Sequence, residues 1–85
     1  MTRMDDRDLL QRIILDPAVL TGKPVIRGTR LSVEYILNQL AHGSTFAALI
    51  DEYPGLSDED IKACLLFAGR SLGSTDFMPL TLEAA

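Results

Sequence analysis

The apolar pattern changes at Ser32, and that change limits the fold more than any other feature of the chain. Upstream, apolar residues come in short runs broken by proline and glycine: Ile13-Ile14-Leu15 halts at Asp16-Pro17, and Pro24-Val25-Ile26 halts at Arg27-Gly28. Proline withholds a ladder donor and glycine takes turn conformations that other residues avoid, so such runs read as short strands. The spacing predicts strands within Arg12–Asp16 and Pro24–Ile26. Asp16-Pro17 and Thr21-Gly22-Lys23-Pro24 turn the chain between them, with Gly22, Pro24 and Gly28 as the structural turn residues. A two-stranded hairpin is marginal alone, so it must pack on helices or pair with another chain. The charged opening, Met1–Gln11, reads as frayed or as a short helix.

Downstream the period is helical. Val33, Ile36, Leu37, Leu40 and Ala41 share one helix face, Ser32 is a good N-cap, Glu34 suits the positive helix start, and Gly43 suits the position after the end. A helix over 33–42 follows. Ser44 or Thr45 caps a second, whose stripe is Phe46, Leu49, Ile50 and Tyr53 and which Pro54-Gly55 ends. Ser57 opens a third, where Ser57-x-x-Asp60 resembles a capping box. Its expected apolar face is Ile61, Leu65 and Ala68, joined by Cys64, Leu66 and Phe67, and Gly69–Gly73 ends it. The expected fold is mainly α: a short N-terminal β-hairpin or strand pair over 12–31, a three-helix, helix–turn–helix-like bundle over 32–73, and an apolar tail over 74–85.

Eighty-five residues suffice for one domain, 1–85, with a small core, so a partner surface should add to its stability and a homodimer is expected. Apolar residues at 47 % argue against a wholly disordered chain. A single cysteine makes no internal disulfide, and no His or Cys pair has metal-ligand spacing, so neither metal nor cofactor is expected. Cys64 falls on or near an apolar face, as a small buried thiol would, and His42 falls at a helix end whose dipole suits an imidazolium. Catalysis has little to work with, and enzyme function is not expected. No apolar stretch is long enough to span a membrane, and Met1–Arg12 lacks the pattern of a signal segment, which gives the expectation of a cytoplasmic protein.

A net charge of −4 argues against a general nucleic-acid binder, yet the charge is uneven. Residues 1–30 hold six basic and four acidic groups, whereas residues 31–85 hold two basic and eight acidic. Asp58, Glu59 and Asp60 open the third helix, so that helix is a poor reader of a phosphate-lined groove. DNA contact would fall instead to Lys23, Arg27 and Arg30, in a β-ribbon built from two subunits. The alternative is local pairing of Arg27 or Arg30 with Asp16 or Asp8. In the tail, Phe77, Met78, Leu80 and Leu82 are candidate partner-binding anchors; alternatively the tail packs back on its own domain or fills a homodimer seam.

These residues also carry a resemblance. Ile13–Pro17, the block Gly22-Lys23-Pro24-Val25-Ile26-Arg27-Gly28-Thr29-Arg30, the helix end Ala41-His42-Gly43-Ser44-Thr45 and Tyr53-Pro54-Gly55-Leu56 with Asp60-Ile61 together resemble the DUF433 family over about residues 12–68. The family's A-x-G-x-S pattern reads here with Thr45 as the final hydroxyl residue. The resemblance implies kinship to helix–turn–helix proteins. It also implies an antitoxin of a type II toxin–antitoxin pair, which binds and neutralises a PIN-like ribonuclease toxin and binds its own operator DNA as a dimer. A DNA-binding regulator without a toxin partner, and a bare oligomerisation module, are the alternatives.

Overall fold

The computed structural model describes residues 5–73. The elements run α1 (Asp6–Leu10), β1 (Ile13–Leu15), β2 (Pro24–Ile26), α2 (Val33–Ala41), α3 (Phe46–Glu52) and α4 (Asp58–Ser71). The strands pair antiparallel, Ile13 opposite Ile26, Ile14 opposite Val25 and Leu15 opposite Pro24. Proline is tolerated at Pro24 because it is the first residue of its strand. The fold is therefore the expected one, a strand pair followed by three principal helices, with α1 supplying the short helix expected before β1. Among the described residues no helix is long and apolar enough to cross a membrane.

Each principal helix starts on a side-chain cap that accepts an otherwise orphaned backbone donor. Ser32 Oγ accepts from the Tyr35 amide at 2.9 Å, and Thr45 Oγ1 from the Ala48 amide at 3.0 Å. At α4 the box is reciprocal: Ser57 Oγ accepts from the Asp60 amide at 3.2 Å, and Asp60 Oδ2 accepts from the Ser57 amide at 3.0 Å. Gly43, just past α2, takes φ +100°, a left-handed conformation that closes helix ends.

The core joins the two strands and the three principal helices. Ile26, Val33, Ile36, Leu49, Leu56, Ile61 and Cys64 are buried together, and Ile13, Leu31, Tyr35 and Phe67 pack around them. α4 is the central support, in contact with α1, α2, α3 and β1. Its buried face matches the expected one at Ile61 and Cys64 and departs from it at Leu65. Asp60, Ile61, Ala63 and Cys64 are buried, while Leu65 is 45 % exposed. The cause is Asp60, which turns inward to meet Arg12 at 2.9 Å. That fixes the rotation of the helix with Cys64 inward, and Leu65 then falls about 100° away around the axis. α4 ends within Gly69–Gly73 as expected, its last helical residue being Ser71. Leu37 and Ala41, expected in the core stripe of α2, are half-buried and exposed respectively.

The connection from β1 to β2 contains an unusual turn. Leu20, Thr21 and Gly22 all have positive φ, at 50°, 54° and 85°. Two consecutive non-glycine residues in the left-handed region carry steric strain of roughly 1–2 kcal/mol each. Thr21 Oγ1 donates to the Leu20 carbonyl at 2.6 Å, which offsets part of that strain.

Candidate nucleic-acid and partner surfaces

The G-T-R turn after β2 is the best-built polar surface of the described chain. Gly28 has φ +80°, and nothing lies within 4 Å of where a Cβ would stand, so glycine is required there by backbone conformation alone. Thr29 braces the turn with its hydroxyl, which donates to the Ile26 carbonyl at 2.8 Å and accepts the Leu31 amide at 3.0 Å. The Thr29 amide also donates to the Ile26 carbonyl, and the Ile26 amide to the Leu31 carbonyl, both at 3.0 Å. The turn is thus anchored on Ile26, which is 1 % exposed. A rigid base carries Arg27 and Arg30 outward, and both are exposed.

Neither arginine has an acidic partner among the described residues, so the local pairing with Asp16 or Asp8 is not formed. Asp16 Oδ1 accepts the Ala18 amide instead, at 2.9 Å. Lys23, the third member of the expected set, is paired: its Nζ meets Glu34 Oε1 at 3.0 Å, and both side chains are exposed. Arg27 and Arg30 both lie on this one turn, whereas Lys23 is engaged by Glu34. At α4, Asp60 is neutralised by Arg12, so its acidic start presents chiefly Asp58, exposed, and Glu59, half-buried.

A second surface is apolar. A groove of about 630 Å³ runs between α2, β2 and the end of α4, with Val33, Leu37, Phe67 and Leu72 on its walls and Glu34 and Asn38 at its polar side. Leu72 is 87 % exposed at its end. Phe77, Met78, Leu80 and Leu82 lie outside the described residues.

The remaining reactive side chains are not assembled into a site. Cys64 is fully buried; burial, assisted by the nearby Asp60 charge, pushes its thiol up to about 12. His42 is exposed at the end of α2, with Nδ1 2.8 Å from the Asn38 carbonyl. No group of three potential metal ligands is found among the described residues. Sequence reasoning does not foresee the contact of the Tyr35 and Tyr53 hydroxyls, whose rings meet edge to face with centroids 5.9 Å apart. The hydrogen bond with Tyr35, then burial, then the charge of Glu52 push Tyr53 up to about 12. Apart from ring chemistry, no local signal links Tyr35 on α2 with Tyr53 just past the end of α3.

Comparisons with known proteins bear on this arrangement. The family model described as "Protein of unknown function (DUF433)" matches residues 13–68, which include β1, the G-T-R turn, α2, α3 and most of α4. The chain is similar to an uncharacterized protein, y4eO, of Sinorhizobium fredii, at 31 % identity over 67 residues; these are 78 % of this chain but only 30 % of that protein. It is also similar to the crystal structure of a DUF433 member from Anabaena variabilis, with a TM-score of 0.70 and 29 % identity over 78 % of this chain and 65 % of that one. The block that builds the arginine turn therefore lies inside the matched region, and the chain belongs to the DUF433 family.

Proposed function

We propose that the chain is an antitoxin-like protein of a type II toxin–antitoxin pair that binds a PIN-like ribonuclease toxin and contacts its own operator DNA as a homodimer. The observation that carries the DNA part is the braced turn with Arg27 and Arg30 exposed and unpaired among the described residues. Arginine suits phosphate because its planar guanidinium presents paired donors and stays charged. A rigid mount reduces the entropy lost on binding. For the toxin part, the family resemblance supplies the expectation, and the apolar groove ending at Leu72 offers an anchor surface. The acidic balance of the helical region favours a partner whose own site attracts polyanions. On this reading the chain performs no catalysis.

Co-expression with the product of the adjacent gene tests the reading. The expected result is a complex that co-purifies and suppresses the neighbour's toxicity. No complex and no suppression would overturn the toxin part. The regulator without a toxin is the second reading, favoured by the same two arginines. It would be selected by DNA binding that persists when no neighbouring product is bound.

A further inference from the structure

The hydrogen-bond parity of the sheet leaves one edge open. In an antiparallel ladder, alternate residues turn their amide and carbonyl toward opposite sides of the strand. On β2, Ile26 faces away from β1, since its amide donates to the Leu31 carbonyl and its carbonyl accepts from Thr29. The Val25–Ser32 bridge closes the same side. On the inner side the Arg27 amide donates to the Arg12 carbonyl at 2.7 Å. Given the pairing of Ile13 with Ile26, Arg12 and Ile14 face β2, and Ile13 and Leu15 turn their backbone groups outward. Neither outward residue has a backbone partner on that side among the described residues. Leu15 is 64 % exposed. Among the described residues the sheet has two strands and an edge without partners beside an exposed leucine, which makes it an incomplete element.

We propose that β1 pairs antiparallel with β1 of a second copy, with Ile14 on the two-fold axis, to make a four-stranded sheet. The proposal gives an interface to the homodimer of the preceding reading and rests on that part of it alone. Two-fold pairing requires the outward residues of one strand to face outward residues of the other, which allows three centres: Ile13, Ile14 or Leu15. Only the centre at Ile14 sets Ile13 against Leu15 of the second copy twice over, and so uses all the outward amides and carbonyls of both residues. It also sets Arg12 opposite Asp16 of the second copy at both ends. Opposite charges facing across strands favour that register, and the other two centres do not align this pair. Arg12 uses one donor on Asp60, and Asp16 uses one oxygen on Ala18, so each keeps capacity for a further contact. The interface is self-complementary, as a closed two-fold dimer demands.

Cross-linking through single cysteines in the full chain tests both the edge and its register, because the native Cys64 is buried. Residues facing each other as a non-hydrogen-bonded pair have Cα atoms about 4.5 Å apart, within disulfide range. Ile14→Cys should form an intermolecular disulfide on mild oxidation, and Leu15→Cys should not. Leu15→Pro removes an outward amide that the monomer does not use. It should keep the helical circular dichroism while weakening self-association roughly tenfold or more in sedimentation equilibrium. A wild-type chain that stays monomeric would overturn both the dimer and the edge. A dimer unaffected by Leu15→Pro and uncrosslinked at position 14 would overturn the edge alone. Cross-linking of Leu15→Cys in place of Ile14→Cys would overturn the register. A monomer that pairs this edge with an extended segment of another protein would overturn self-pairing. DNA or toxin binding is read separately from all of these.

Discussion

Asp60 ties together two parts of the structure that are distant in sequence. One oxygen takes the Ser57 amide at the start of α4, the other takes Arg12 just ahead of β1, and the side chain is 9 % exposed. A buried ion pair is weak evidence for net stability, but removing one partner strands the other. Arg12 already has a buried Nε without a partner, so loss of Asp60 would leave a second donor of the same guanidinium unpaired within the chain. Asp60→Ala is expected to cost on the order of 2–4 kcal/mol, through loss of a cap and a stranded guanidinium, as measured by urea unfolding. A cost below about 0.5 kcal/mol, the range of ordinary surface substitutions, would show that the pair is incidental. Tyr53 gives a pH test. Its folded pKa is raised, so the stability tied to its neutral hydroxyl is complete below its usual value near 10 and declines as pH rises toward about 12. In Tyr35→Phe the dominant cause is gone, and the ultraviolet titration of Tyr53 should shift back toward lower pH; an unchanged titration would assign the shift to burial instead.

Among the elements, the helices are the part most legible in the sequence. Ser32, Thr45 and Ser57 cap the helices, as short-range hydroxyl chemistry predicts, and Pro54-Gly55 separates α3 from α4. The strands are legible too, because proline and glycine bound them. The parts that are not legible depend on distance or on exceptions to local preference. Arg12 and Asp60 lie 48 residues apart, and no local pattern announces their pair, so the apolar spacing alone places Ile61 and Cys64 correctly but adds Leu65 to the inward face of α4. The positive φ at Leu20 and Thr21 is not legible because both are residues that ordinarily avoid it. Thr21→Gly is therefore expected to raise stability by up to ~1 kcal/mol, since relief of strain exceeds the added freedom of the unfolded chain. A lower melting temperature would mean that the Thr21 hydroxyl contact outweighs the strain. Gly28→Val has the opposite sign. With open space around the site, its cost of roughly 1–3 kcal/mol comes from backbone strain, and a thermal scan showing no destabilisation would contradict the positive φ.

At the scale of the molecule, the strand pair and the helices divide the labour by charge. The arginine turn extends from the strand pair, whereas most of the acid lies from Ser32 onward. Of the candidate site, the turn that carries Arg27 and Arg30 is legible because the G-T-R block is compact; the ion pair of Lys23 is not, since its partner Glu34 lies on α2. Pairing through β1 would bring two such turns into one assembly and double the basic surface without changing the acidic helices. The most direct measurement is the salt dependence of binding to a DNA fragment carrying the chain's own promoter, compared between the wild type and the Arg27→Ala, Arg30→Ala double variant. For each phosphate that an arginine no longer neutralises, the slope of log affinity against log salt should fall in magnitude by about 0.9. Wild-type binding is expected to weaken with salt, and the double variant to show both lower affinity and a shallower slope. Binding that is absent at low salt, or identical in the two proteins, would contradict the assignment of DNA contact to this turn.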